Sequence, residues 1–163
     1  MNPKRAIEDR FPKLTGEGYS LTSSPTDAYN CVAWIARDVR RWWSPEDVDG
    51  YFWPWRNRDG TLSEYLRLFE HCGFAECVSG TLEDGYEKIA IFASSEEFDH
   101  VAFQREDGCW SSKLGELGDV MHKTRSSLGG AGCFEYADVA MFMRRVREPH
   151  PLAHTGLLLP GLG

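Results

Sequence analysis

The sequence of 163 residues lacks several features that would place a protein in a class at once. The 18 Lys and Arg residues are outnumbered by 25 Asp and Glu residues, so the formal net charge is −7. An acidic chain without a long basic run binds nucleic acids and anionic membranes poorly, and we expect neither as a partner. No apolar stretch reaches the roughly 18 residues that a membrane-spanning helix needs. Residues 1–14 lack the apolar core of a signal peptide, so we expect a cytoplasmic protein, or one exported by a signal-peptide-independent route.

Metal-ligating and phosphate-binding motifs are also lacking. The sequence contains no CxxC, HExxH, GxGxxG or GxxxxGK[ST]. An odd number of cysteines, five, argues against a disulfide framework and favours a reducing compartment. Cys72 and Cys77, beside His71, are the nearest approach to a zinc site, but a second ligand pair is missing. We therefore interpret these cysteines as buried thiols and expect no metal and no cofactor.

The spacing of apolar residues predicts two helices in the first half of the chain. Residues 28–42 carry apolar residues at helical intervals, with Thr26 or Asp27 as the cap. Residues 61–73 repeat the pattern, with Thr61 as the cap. The segments around these helices are rich in proline and glycine, which predicts an irregular segment over 1–25 and a loop over 42–60.

After residue 73 the pattern alternates with a period of two, which is typical of strands. The predicted strands cover residues 74–78, 86–93, 100–106, 109–114 and 138–146. Helices followed by an antiparallel sheet predict an α+β fold for a single domain over residues 1–148. Residues 149–163 have no period, and we expect an extended or disordered tail.

Asp107-Gly108 predicts a two-residue hairpin turn between the third and fourth strands. Opposed residues would then have numbers with an odd sum, which assigns side chains to faces. The predicted core face carries Val101, Phe103, Trp110, Ser112 and Leu114. The other face carries His100, Ala102, Gln104, Ser111 and Lys113. This polar row is compatible with a functional site, and equally with a sheet face in contact with water.

Cys31 and His100 are the candidate catalytic residues. A thiol in the first turn of a helix is stabilised as a thiolate, and a histidine on a neighbouring strand can accept its proton. Free amides of the first turn can stabilise an oxyanion. For a third group that orients the imidazole, Asp119 is the best chemically, Ser111 is placed better by the hairpin, and His122 stays possible. The simpler alternative is that Cys31 packs in the core and His100 is structural.

Tryptophan is concentrated in one part of the chain. Five of the six tryptophans lie between Trp34 and Trp55. Exposed aromatic rings anchor interfaces and peptide grooves, whereas packed rings form a small core over a helix end, and both interpretations remain open. The candidate substrate-binding residues are Trp43, Trp53, Gln104 and Lys113.

Five motifs together resemble the signature of an uncharacterised family of bacterial proteins. They are YNCVAW (29–34), WWSP (42–45), HVAFQ (100–104), WSSKLG (110–115) and DVMH (119–122). The resemblance extends from about residue 11 to residue 145. The order of cysteine and histidine is similar to that of the NlpC/P60 and CHAP branches of the papain-like hydrolases, which cleave peptide or amide bonds. These branches carry His, Asn or Asp at the third position, where this chain has Ser111, Ser112 and Lys113.

The resemblance implies a papain-like architecture in which N-terminal helices pack on an antiparallel sheet. It implies a cysteine peptidase or amidase, with Cys31 as nucleophile and His100 as base, acting on a peptide or protein. A bacterial effector and a cell-wall amidase are both compatible with this class. The alternative is a non-catalytic module on the same scaffold, which binds a protein or peptide through the tryptophan-rich loop.

Overall fold

The computed structural model describes residues 2–129 and 136–147. A seven-stranded antiparallel sheet forms its centre, so the predicted α+β class is confirmed. The strands of this sheet are β1 (Tyr19–Leu21), β4 (Ala75–Cys77), β5 (Tyr86–Ser94), β6 (Glu97–Gln104), β7 (Trp110–Lys113), β8 (Asp119–His122) and β9 (Val139–Val146). The two remaining strands, β2 (Trp42–Trp43) and β3 (Tyr51–Phe52), pair with each other in a separate small sheet. Their order across the sheet is β1-β8-β7-β6-β5-β9-β4.

The chain begins with two short helices, where the sequence predicted an irregular segment. They are α1 (Pro3–Arg10) and α2 (Pro12–Glu17). Each helix has proline in its first turn, where the missing N–H costs no hydrogen bond, and Asn2 caps α1 through its side chain. The prediction failed because these prolines start helices instead of breaking them.

The helix that carries Cys31 is shorter than its pattern predicted. It is α3 (Cys31–Ile35), and its cap is Asn30, not Thr26 or Asp27. The Asn30 side chain accepts a hydrogen bond from the Ala33 amide at 3.1 Å. It also donates to the Trp43 carbonyl at 2.7 Å, which joins the start of α3 to β2.

The second predicted helix is confirmed as α4 (Leu62–His71). Thr61 caps it by accepting from the amide of Glu64 at 3.4 Å. Gly73 follows the helix with φ of +97°, a left-handed conformation that glycine adopts without strain.

The predicted register of the hairpin between β6 and β7 is wrong by one residue. Phe103 pairs with Ser111 and Gln104 with Trp110, so opposed numbers have an even sum. The loop holds three residues, 106–108, and Gly108 takes a φ of +85°. A three-residue hairpin loop of this kind ends on a residue in the left-handed region, and Gly108 supplies it. An Asp-Gly pair is therefore compatible with a three-residue loop as well as with the two-residue turn that the sequence predicted.

Because of this shift, each side chain of β7 lies on the same face as a different set of β6 side chains than the sequence predicted. Ser111 and Lys113 share a face with Val101 and Phe103, while Trp110, Ser112 and Leu114 share a face with His100, Ala102 and Gln104. The predicted face assignment is therefore wrong, because side chains alternate and one extra loop residue inverts every pairing.

Each face of the sheet has its own core. On what we call the α3 face, Cys31 and Val32 pack with Ile89, Ile91 and Val101. On what we call the α1 face, the buried residues are Ile7, Phe11, Leu14, Ala90, Phe92, Ala102, Trp110, Leu114, Val120 and Leu128. Two apolar layers on one sheet explain why β5 is buried at nearly every position.

Among the described residues, no helix combines the length and the apolar character needed to cross a membrane. The predicted tail, residues 149–163, and the predicted domain boundary at residue 148 lie outside the described residues.

Candidate functional site

Cys31 is the first residue of α3, and its side chain is 8% exposed. Burial raises the pKa of the thiol to about 11. Hydrogen bonds from the backbone of Val101 and Val32 and the positive charge of Lys113 act in the opposite direction. The thiol is therefore protonated at neutral pH, although the groups around the sulfur favour a negative charge.

His100 precedes Val101 on β6 and is fully buried on the α1 face. Its ring lies parallel to the ring of Tyr136, with centroids 4.3 Å apart, and 5.3 Å from the ring of Phe92. Neither ring nitrogen has a hydrogen-bond partner in the described part of the chain. Burial, followed by the charges of His122 and Arg10, lowers the pKa of His100 well below its usual value, so the imidazole is neutral.

Cys31 and His100 lie on elements that contact each other, α3 and β6. Their side chains are nevertheless not hydrogen-bonded to each other, since neither His100 nitrogen has a partner among the described residues. Val101 points its side chain toward α3, so alternation directs the His100 ring to the α1 face. The Tyr136 ring stacks on His100, and burial raises the pKa of its hydroxyl.

Asp119 binds a tyrosine instead of the imidazole. The Tyr29 hydroxyl donates to Asp119 Oδ2 at 2.6 Å, and both side chains are buried. Burial raises the pKa of Asp119, whereas the bond from Tyr29 and the charge of Lys113 lower it. Asp119 Oδ1 has no partner among the described residues. The carboxylate therefore fixes the residue that lies two positions before Cys31.

Lys113 is opposite Asp119 in the sheet and is also fully buried. Its ammonium lies 5.1 Å from the centre of the Tyr29 ring. It donates to the backbone carbonyls of Thr26, Gly115 and Leu117. Three carbonyl acceptors use all three donors of an ammonium, so Lys113 ties two loops together and has no free donor for a substrate.

Neither of the remaining candidates for the third group is hydrogen-bonded to His100 among the described residues. Ser111 is buried on the α3 face, opposite Phe103. His122 is buried on the α1 face, with Nδ1 2.9 Å from the Thr124 carbonyl and Nε2 2.8 Å from Ser112 Oγ. Because a carbonyl only accepts, Nδ1 carries the proton and Nε2 accepts from the serine. Burial lowers the pKa of His122.

The candidate substrate-binding residues are held by other parts of the chain. Trp53 is 5% exposed and donates its indole N–H to Glu64 Oε1 at 2.8 Å. Trp43 is half-buried and donates to Asp38 Oδ2 at 2.8 Å. Gln104 is buried and donates to the Gly80 carbonyl at 2.8 Å. Trp53 therefore belongs to the core that contains Cys31, while Trp43 retains some accessible surface.

The structure adds residues that sequence reasoning missed. Asn30 had a recognisable signal, since asparagine directly before a helix is a common cap. Tyr29 lies in the YNCVAW motif, but its bond to Asp119 joins segments 90 residues apart, and the contacts of Tyr136 and Glu64 had no signal in the sequence.

No group of three His, Cys, Asp or Glu residues with the geometry of a metal site occurs in the described ranges. Cys31, Cys72, Cys77 and Cys109 are free thiols, and Cys133 lies outside those ranges.

A family model matches residues 20–144, and its description is a domain of unknown function, DUF7689. The protein belongs to this family. The DUF7689 match contains Cys31, His100, Lys113 and Asp119 and begins within β1, so α1 and α2 precede it. Neither the curated proteins nor the solved structures include a match to the chain.

Proposed function

We propose that this DUF7689 protein is a cysteine peptidase or amidase of papain-like architecture, with Cys31 as nucleophile and His100 as general base. One observation supports the proposal most strongly. Cys31 at the start of α3 and Val101 belong to the same buried cluster, and the residue before Val101 carries a buried imidazole whose two nitrogens are unpartnered among the described residues. Buried polar atoms without partners are costly, and they persist where a function needs them.

The proposed reaction begins with transfer of the Cys31 proton to His100. The thiolate attacks the carbonyl carbon of a peptide or amide, forming a C–S bond and an oxyanion. Amides in the first turn of α3 stabilise that oxyanion. The imidazolium then gives its proton to the leaving nitrogen as the C–N bond breaks. Water attacks the thioester and its proton passes to His100. The C–S bond then breaks, the free acid leaves, and His100 returns the proton to the Cys31 sulfur.

The resting arrangement is an inactive one in this proposal. The Cys31 thiol is protonated, and the His100 ring lies against Tyr136 on the α1 face. A general base acts at about 2.6–3.2 Å from the proton it takes, and the sheet separates the two side chains, so β6 must change its pairing at His100 before the ring can face the sulfur. Two interruptions of the strand pairing lie beside this position, one between Phe92 and Ala93 and one between Ile91 and Phe92. Such bulges redirect side chains and are frequent near active sites.

Asp119 acts as a positioning residue in this scheme. Its bond to Tyr29 fixes the segment that leads into α3, and Lys113 joins Thr26 of that segment to Leu117 in the loop between β7 and β8. Cys31 and His100 then form a catalytic dyad, and the carboxylate sets the position of the nucleophile.

Cysteine alkylation tests the proposal. Iodoacetamide labelling followed by peptide mapping gives a separate rate for each cysteine. We expect His100→Ala to slow the labelling of Cys31 at pH 7 by about a hundredfold, the low end of what general-base assistance contributes to a rate. His71→Ala is the matched control, because it removes an imidazole from α4, and it leaves the rate unchanged. An equal Cys31 rate in the wild type and His100→Ala would contradict the proposal.

A second candidate function is a binding module that uses the aromatic loop. Trp42 and Tyr51 are half-buried and stacked, with centroids 6.0 Å apart, and Arg41 lies 3.7 Å from the centre of the Phe52 ring. A ribbon of half-exposed rings is suited to a peptide or protein partner. Cys31→Ala separates the candidates, because it abolishes a hydrolase and leaves this binding intact.

A further inference from the structure

Three arginines converge on one buried glutamate at the end of the sheet. Glu87 at the start of β5 has a side chain that is 3% exposed. The distances from its carboxylate are 2.6 Å to Arg145 Nε, 3.5 Å to Arg37 Nη2 and 3.9 Å to Arg147 Nη1. Three positive charges and one negative charge leave a local excess of two positive charges, 3 − 1 = +2, in a chain whose net charge is −7.

One of the three arginines is sufficient to hold the glutamate. Arg145 makes a short, charge-assisted hydrogen bond to Glu87 and donates a second one to the Cys72 carbonyl at 2.8 Å. Arg37 and Arg147 approach at distances longer than a hydrogen bond. The Arg37 side chain donates no hydrogen bond to any residue in the described ranges, and Arg147 donates one, at 3.3 Å, to the Gln104 carbonyl. Guanidinium N–H groups therefore remain available beside the glutamate.

The backbone at Arg37 is held in a conformation that is unfavourable for a residue with a Cβ atom. Its φ is +61°, in the left-handed region. The Asp38 amide donates to the Ala33 carbonyl at 2.9 Å, which closes α3 and directs the Arg37 side chain toward Glu87. Glycine would adopt this φ without strain, so the arginine at this position points to a use for its side chain.

The arginines are accessible to a solute. Their side chains are 33% exposed for Arg37, 18% for Arg147 and 16% for Arg145. A guanidinium presents parallel N–H groups that match two oxygens of a phosphate, and partly desolvated guanidinium groups bind such oxygens more strongly than fully hydrated ones.

We infer that Arg37, Arg145 and Arg147 form a binding site for an oxyanion of the phosphate type, with Glu87 fixing the arginines in position. The site is at the end of α3 opposite Cys31. It does not depend on the proposed hydrolase, because its argument uses the charges and geometry around Glu87 alone. An inactive Cys31 would leave it unaffected.

Calorimetric titration of the full chain with inorganic phosphate tests the inference. Chloride replaces phosphate in the reference titration at the same ionic strength, so that screening is identical. We expect saturable binding of one phosphate per chain. Arg37→Gln weakens that binding by about tenfold, the loss expected for a charge-assisted hydrogen bond. A parallel titration with phenyl phosphate distinguishes the sources: tighter binding than inorganic phosphate indicates a phosphate ester, and equal or weaker binding indicates the free ion.

Two further variants decide whether the cluster is a site or only an ion-pair network. Glu87→Gln keeps a side-chain oxygen that can accept from Arg145 but removes the negative charge that competes with phosphate, so it tightens phosphate binding. A network that serves only Glu87 gives no such gain, and circular dichroism verifies that this variant is folded. Arg5→Gln removes an exposed arginine from α1 and leaves the affinity unchanged. Phosphate that behaves like chloride, or an affinity lost equally in Arg5→Gln and Arg37→Gln, overturns the inference.

Discussion

Tyr29 donates a 2.6 Å hydrogen bond to Asp119, and this bond connects the segment before α3 to β8, 90 residues further along the chain. The two side chains are buried, so neither has water as a substitute partner. The start of the helix that presents Cys31 is thereby attached to the sheet, and the two halves of the candidate site depend on each other for their position.

A double-mutant cycle on this pair measures the attachment. Tyr29→Phe and Asp119→Asn each lower the free energy of unfolding, and we expect a coupling energy of about 1.5–3 kcal/mol, the range for a hydrogen bond to a charged group. Urea unfolding of the four proteins gives the value. Additive effects of the two substitutions would show that Asp119 has a different principal partner, such as the imidazole expected from the sequence.

The buried histidine predicts a loss of stability in acid. The pKa of His100 is lowered in the folded state, whereas the unfolded chain titrates near 6.5. Below pH 6.5 the unfolded state binds a proton that the folded state does not, so stability falls as the pH falls, by up to about 1.4 kcal/mol per pH unit for each such group. His122 has a lowered pKa from burial and contributes in the same direction.

His100→Phe isolates this contribution, because it keeps an aromatic ring against Tyr136 and removes the titration. Urea unfolding at pH 7.5 and at pH 5 gives the pH dependence of both proteins. We expect the variant to lose less stability than the wild type over this range. The same loss in both proteins would show that His100 takes up a proton in the folded state near its ordinary pKa.

The cap of α3 gives a third prediction. Asn30 accepts from the amides of Ala33 and Trp43 and donates to the Trp43 carbonyl. Asn30→Ala removes all three bonds, and we expect a destabilisation of about 2 kcal/mol, the upper part of the range for a lost cap. Asn57→Ala is the matched control, since Asn57 is exposed in the loop before α4, and it changes the midpoint of thermal unfolding little. Equal effects of the two substitutions would contradict the structural role of Asn30.

The sequence predicted the elements whose signals are local. Thr61 and Gly73 delimited α4 correctly, and the alternating runs located β5 and β9 to within one or two residues. The short strands β1 and β8 were missed because they hold three and four residues, too few for a period to be recognised.

For the candidate site, the sequence predicted the secondary structure around each residue but not the direction of the side chains or their partners. Cys31 was correctly placed in the first turn of a helix, and His100 on a strand beside it. The direction of the imidazole depends on strand register, which a single additional residue in the loop before Cys109 inverts. The partners of Asp119 and Lys113 could not be predicted either, because Tyr29 and the carbonyls of Thr26 and Leu117 reach them through tertiary contacts.

The pH dependence of Cys31 alkylation tests the central claim most directly. A thiol that is only buried, with a pKa of about 11, reacts about tenfold faster for each unit of pH from 6 to 10, because its thiolate fraction rises in that proportion. A thiol that transfers its proton to His100 during the attack reacts at a rate that changes little between pH 7 and 9, because the imidazole is neutral and able to accept the proton throughout this range. We predict this plateau for the wild type and the steep line for His100→Ala. A steep line in both proteins would contradict the assignment of Cys31 and His100 as a catalytic pair.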